Sequence, residues 1–283
     1  LYATSVGEPY LRPIIVNVMN RKMIINAKKI LQFVVVLFAI HINGQQVELM
    51  EGFWSDFEGK LGKDTITMTL YPEKNNQIQG NYCNESKNLH KIVFSGAVID
   101  TFIVLETLDV NNQIITFHGQ LKEAYQEKEY LGTFYSGTVT NNTTGNTQPF
   151  RLAHNRSSGG TLEHRYMDLF ATNDEVDAFV GKMKTAILQR NKKWLAQHLN
   201  YPIEASVSKG NIKNIADERM FIANFDVIFP EAFLLRAKTY PTCNLWVQSN
   251  GAAFGNGEIW IHNKNGSRPE AYYLAIKEIH AYF

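Results

Sequence analysis

TITMTL, residues 65–70, alternates without a break: Ile66, Met68 and Leu70 fall on one face and three threonines on the other. Side chains on a strand point alternately to opposite sides, so this period of two reads as a strand with its aliphatic face in a core. Ile78, Gly80 and Tyr82 continue the period, and strand-like runs recur at 92–94, 102–108, 114–121, 130–139 and 149–153. Between them stand turn clusters: EKNNQ at 73–77, DVNNQ at 109–113 and TNNTTGNT at 140–147. Asparagine, aspartate and glycine tolerate the left-handed backbone that tight turns need. Six to eight strands joined by such turns predict an antiparallel meander, which closes into a barrel or folds into a sandwich because open edges invite aggregation.

Beyond this half the period changes. HNRSSGGTLEHR, 154–165, is polar and glycine-bearing and reads as a linker; Ser157-Ser158-Gly159-Gly160 lacks the frame of a nucleophile elbow. Thr172 with Glu175 forms a capping-box pattern, and Val176, Phe179, Val180, Met183, Ile187, Trp194 and Leu195 trace one helical stripe. Pro202 stops that helix, and a strand follows at 203–207. A second helix is expected from near Asn214, with Phe221, Phe225, Ile228 and Phe229 on its apolar face, and Pro230 suits the first turn of a short third helix. Strands at 245–248, 252–254, 258–262 and 272–282 finish the chain.

This order of elements, with FIANFDVIFPEAF (221–233) and NGAAFGNGEIWI (250–261), resembles the NTF2-like superfamily, sometimes grouped as cystatin-like, as seen in uncharacterised exported bacterial proteins. The resemblance implies helices packed on a curved antiparallel sheet. It implies no single activity, since that superfamily holds dehydratases, isomerases, assembly domains and immunity proteins. Through TITMTL, IQGNY and YLGTFYSG the first half loosely resembles calycin-type barrels. The expected fold class is α+β: a barrel-like domain over 45–153, a linker over 154–172 and an NTF2-like domain over 173–283.

Composition narrows the function. The 283 residues are 45% hydrophobic and 12% aromatic, enough for a packed core. Arg21, Lys22, Lys28 and Lys29 precede the apolar run ILQFVVVLFAI at 30–40, the order of an export signal over 19–44. Its length falls short of the about 20 apolar residues of a bilayer span, so no stable membrane span is expected after cleavage. Residues 1–18, ahead of the first methionine, read as an upstream segment. The first 44 residues hold five basic residues and one acid, leaving 23 basic against 26 acidic in the remainder. A mildly acidic chain without a basic run has no electrostatic footprint for nucleic acid. The expected location is the periplasm or the outside, and oligomeric state stays open.

Candidate sites concentrate in NGAAFGNGEIWIH, 250–262. Asn256-Gly257 is a strong hairpin signal, because both residues accept the positive φ of a type I′ turn. The glycines do not match a phosphate loop, since a strand rather than a helix follows. Period two then places Glu258, Trp260 and His262 on one face and Ile259 and Ile261 on the other. If that face lines a cavity, Glu258 and His262 could perform acid–base work, joined by Asp226 or His280, as in a dehydratase or isomerase. The plainer alternatives put the isoleucines in the core with Glu258 and His262 in water, or bury Glu258 as a structural acceptor. Trp260, Glu258 and Tyr273 are the ligand-binding candidates. Asp226 within NFDVIFP reads either as an acid at a pocket mouth or as a solvated surface group. His154 and His164 lack metal-site spacing, and neither a metal nor a cofactor motif is present. Cys83 and Cys243 are the two cysteines; separate buried thiols are the plainer reading and one bridge the alternative. With no complete catalytic constellation, the chain reads as a binding protein for another protein or an envelope component. A small-molecule carrier would instead need a deep cavity in the barrel.

Overall fold

Eight strands in unbroken succession close the first half of the chain on itself. They are β1 (Phe53–Leu61), β2 (Asp64–Pro72), β3 (Gln77–Asn84), β4 (Leu89–Ile99), β5 (Phe102–Leu108), β6 (Ile114–Gln126), β7 (Glu129–Asn141) and β8 (Thr147–Gly159). Each pairs antiparallel with the next, and β8 returns to β1, with Leu61 opposite Phe150. The structure is a computed structural model that describes residues 49–84, 89–109, 111–249, 251–264 and 273–282. The segments read as upstream sequence and export signal, 1–18 and 19–44, lie outside the described residues.

The turn chemistry follows the sequence. Asp109 Oδ1 accepts from the backbone of Asn111 at 2.8 Å and Gln113 at 2.9 Å, and Asn75 and Asn76 both take φ 60°. Eight strands enclose a space just wide enough for side chains. Here Ile66, Met68 and Leu70 meet Phe57, Tyr82, Phe117, Tyr135 and Phe150 in one buried cluster. Tyr135 is fully buried and its hydroxyl donates to the Ile103 carbonyl at 3.1 Å. The barrel interior is therefore a packed core.

The second half comprises α1 (Asn173–Leu188), α2 (Lys192–Gln197), β9 (Leu199–Ser208), β10 (Asn211–Ile215), α3 (Glu218–Ile228), α4 (Glu231–Ala237), β11 (Trp246–Gln248), β12 (Gly251–Phe254), β13 (Ile259–Asn263) and β14 (Leu274–Ile279). The capping box is formed: Thr172 Oγ1 accepts from Glu175 N, and the Glu175 carboxylate accepts from Thr172 N at 2.8 Å. The expected single stripe is two helices, because Arg190 takes φ 53° and Asn191 caps α2 by accepting from Trp194 N at 3.1 Å. Val176, Val180, Met183, Phe221, Phe225 and Ile228 pack against Ile203, Ile259, Ile261, Ile276 and Ile279, so the helices cover one face of the sheet.

Two corrections concern the architecture. The expected α+β class gives way to a mostly β protein, since 52% of the described residues are strand and 22% helix. The second sheet, in order β10-β9-β14-β13-β12-β11, is mixed rather than antiparallel, because β14 runs parallel to β9. Strand content exceeds the apolar pattern because polar segments pair through their backbones. β8 runs on into the stretch read as a linker, where Ser158 lies opposite Trp54 and Gly159 opposite Phe53. β10, NIKNI, was invisible to periodicity, since Ile215 alone among its residues is buried.

At Thr67 and Thr69 the threonine face of TITMTL meets protein rather than water. Thr69 is fully buried, and Thr67 Oγ1 lies 3.5 Å from Cys243 Sγ. Asn244 Nδ2 donates to Asn81 Oδ1 at 2.7 Å, and Cys83 is bridged to Cys243 with Cα atoms 6.6 Å apart. The plainer reading of two separate thiols is thus corrected: both cysteines sit at one junction between barrel and second half. At its centre Arg165, 3% exposed, makes two bonds to the Asp56 carboxylate, through Nη1 at 2.9 Å and through Nη2, and donates to the carbonyls of Asn244 and Leu245. Asp56 also accepts from Thr69 Oγ1 at 2.6 Å and from Arg156 Nε at 3.1 Å. Burial alone would raise the Asp56 carboxyl, but the Arg165 guanidinium outweighs it and holds the group below the usual carboxylate range.

Candidate functional site

The hairpin between β12 and β13 decides where the candidate residues go. Phe254 pairs with Ile259, so the loop is the four residues 255–258, with positive φ at Gly255 and Gly257 but not at Asn256. The expected two-residue type I′ turn is therefore replaced by a longer loop. That loop takes Glu258 out of the strand's alternation. Glu258 is 1% exposed, and its Oε1 accepts from Arg236 Nη2 at 2.7 Å and Nε at 3.3 Å. Arg236 Nη2 also donates to the Ala281 carbonyl at 3.0 Å. Burial first, and then Glu258 beside it, push the Tyr240 phenol up to about 12. A side chain at Gly255 would press on Glu258 Oε2 and the Tyr240 ring, so glycine is required there for space as well as for φ. Glu258 works as a buried acceptor that ties the hairpin to α4.

Along β13 the alternation holds. Ile259 and Ile261 are fully buried against the helices, while Trp260 and His262 lie half-buried on the opposite face. Asn200 Nδ2 donates to His262 Nε2 at 3.0 Å, which needs that nitrogen unprotonated. Desolvation and then Lys277 hold His262 below the ordinary histidine value. Glu258 and His262 have separate partners and do not form a pair. Asp226 is an exposed member of a surface network, bonded to Arg190 at 2.9 Å and Lys192 at 2.8 Å. Tyr273 is half exposed, with the Lys264 ammonium 5.1 Å from its ring centroid.

The face opposite the helices carries a row of side chains that includes Trp260. Trp246 pairs with Ala253, Ala253 with Trp260, Trp260 with Glu278 and Glu278 with Glu204, so these five residues form one row across the sheet. The small Ala253 leaves room for the two indoles to meet above it, with centroids 5.6 Å apart and planes at 55°. Arg156 of the barrel stands 5.9 Å from the Trp246 ring, and Glu278 is engaged by His280 at 3.3 Å and Lys277 at 3.6 Å. Aromatic faces set among amide, imidazole and carboxylate groups can bind a partner by stacking while the polar groups fix its orientation.

Trp260 was legible in the sequence, and its neighbour Trp246 was missed. The signal existed: Leu245 and Val247 flank Trp246 as Ile259 and Ile261 flank Trp260, and in each case the tryptophan takes the face its flanks avoid. Arg165 and Asp56 carry no local signal, since they stand 109 positions apart. Among the described residues no group of three or more His, Cys, Asp or Glu side chains could hold a metal ion, and no helix is long and apolar enough to cross a membrane. In comparisons with known proteins, no family model, curated protein or solved structure matches the chain.

Proposed function

We propose that this is an exported binding protein that recognises another protein or an envelope component through the outer face of its C-terminal sheet. The observation that carries the reading is the row Trp246-Ala253-Trp260-Glu278, two half-buried indoles on a face the helices leave open. Acid–base work by Glu258 and His262 is disfavoured by their separate partners, Arg236 and Asn200. Export is supported by the bridge between Cys83 and Cys243, which belongs to an oxidising compartment, and by the basic-then-apolar order of 21–40. The NTF2-like likeness of the second half belongs to the same proposal and is supported by helices packed on one sheet face; the calycin-like likeness rests on eight-stranded closure.

Co-sedimentation of the purified protein with washed bacterial envelopes tests this. Wild type is expected to sediment saturably, and Trp246→Ala with Trp260→Ala to weaken retention by about tenfold or more, as for aromatic anchors at interfaces. Equal retention of the double variant, with its near-ultraviolet spectrum showing an intact fold, would remove the sheet face from the account.

A further inference from the structure

The row that runs from Trp246 to Glu204 continues one strand further, to Asn214 of β10, so it crosses all six strands of the second sheet. Every member stands on the open face, because its chain neighbour points the other way. Leu245, Phe254, Ile259, Ile279, Ile203 and Ile215, each next in sequence to a member, all belong to the core beneath the helices. Glu204 and Asn214 are exposed. Neighbouring strands lie about 4.8 Å apart, so the row spans roughly 24 Å.

Its order is two indoles with Ala253 between them, then two carboxylates, then an amide. Charge selects against an occupant of either sign. Two carboxylates and no cation within the row repel an anion. Arg156, 5.9 Å from the Trp246 ring, and Lys277, 3.6 Å from Glu278, set a cation beside each half and repel another. What remains is an uncharged ligand with apolar faces for the indoles and hydroxyls for the acceptors. A pyranose ring is built in that way: the C–H bonds of its faces lie against an electron-rich indole, while its hydroxyls donate to carboxylates and exchange hydrogen bonds with an amide.

On the reading that this face is the recognition surface, we infer that the row binds an uncharged polysaccharide chain of the envelope, laid across the strands. Sugar rings stack on Trp246 and Trp260, and hydroxyls bond to Glu278, Glu204 and Asn214. The length of the row calls for a chain of several sugars, since a single ring would reach only one end of it.

Binding to two materials tests this: washed bacterial envelopes, and the glycan prepared from them by exhaustive protease digestion and chloroform–methanol extraction, immobilised on a biosensor surface. The protein is expected to bind both saturably, and to do so equally in 1 M salt, where the screening length is about 3 Å. Soluble fragments of that glycan several sugars long should compete, and the same mass of its acid-released monosaccharides should not. Glu204→Ala with Asn214→Ala, two exposed positions, should weaken binding by about fivefold or more. The polysaccharide is overturned as partner if the envelopes retain the protein and their glycan does not, if 1 M salt abolishes binding, if monosaccharides compete as well as fragments, or if the double variant binds like wild type. Retention by neither material would overturn the recognition surface as well.

Discussion

Arg165 shows how pairing decides the sign of a buried charge. Its guanidinium is surrounded by the Asp56 carboxylate and two backbone carbonyls, and both partners of the ion pair are buried. Asp56→Ala should therefore destabilise by about 3–5 kcal/mol, read from urea unfolding midpoints, because it strands a desolvated cation. Adding Arg165→Met should recover much of that loss. The two buried aspartates have opposite pH signatures. Asp56 has a depressed folded pKa, so its contribution is present above the ordinary carboxylate value and is lost as pH falls through the folded one. For Asp177 burial outweighs Lys91 and the folded pKa is raised, so its contribution is present at low pH and is lost as pH rises through the folded value. Asp177→Asn should then gain stability relative to wild type as pH climbs through the carboxylate range, measured by thermal melts at constant ionic strength. A flat difference between the two proteins would contradict that assignment.

Individual elements were legible where one face alone meets a core. The inward residues of β2, the capping box at Thr172 and the split of Ile259 and Ile261 from Trp260 and His262 all follow from period and local hydrogen bonding. Thr172→Ala should accordingly cost about 1 kcal/mol in unfolding free energy, with α1 fraying first in hydrogen exchange. Legibility ended where a polar surface is covered by distant chain. Thr67 and Thr69 look like a solvent face in sequence, yet Cys243, Arg165 and Asp56 lie against them. The stretch 154–159 looks like slack linker because β1 supplies its hydrogen-bond partners from about a hundred residues away. Of the alternatives the sequence leaves open for Glu258, the buried acceptor is the one found, because a four-residue loop turns it toward Arg236 whereas a two-residue turn would keep it on the strand face.

Among the described residues, barrel and second half are joined, besides the continuous chain, by a disulfide and a buried polar cluster to which β1, β2 and β3 contribute, and by contacts from Lys91 of β4 and Arg156 of β8. A bridge between positions 160 apart restricts the unfolded chain strongly. Cys83→Ala with Cys243→Ala should therefore lower unfolding free energy by about 3–5 kcal/mol on the chain-entropy model. Reduction of wild type should reproduce the loss, whereas a reductant-insensitive midpoint would contradict it. Where the two halves meet, Arg156 of the barrel stands beside Trp246 of the sheet.

Hydroxyl-radical footprinting of the protein with and without washed envelopes, read by mass spectrometry at each tryptophan, reports on recognition through the open sheet face. Trp246 and Trp260 are expected to become protected from oxidation when envelopes are present, while buried Trp54 stays unchanged. Unchanged oxidation of Trp246 and Trp260 in protein that demonstrably sediments with the envelopes would contradict it.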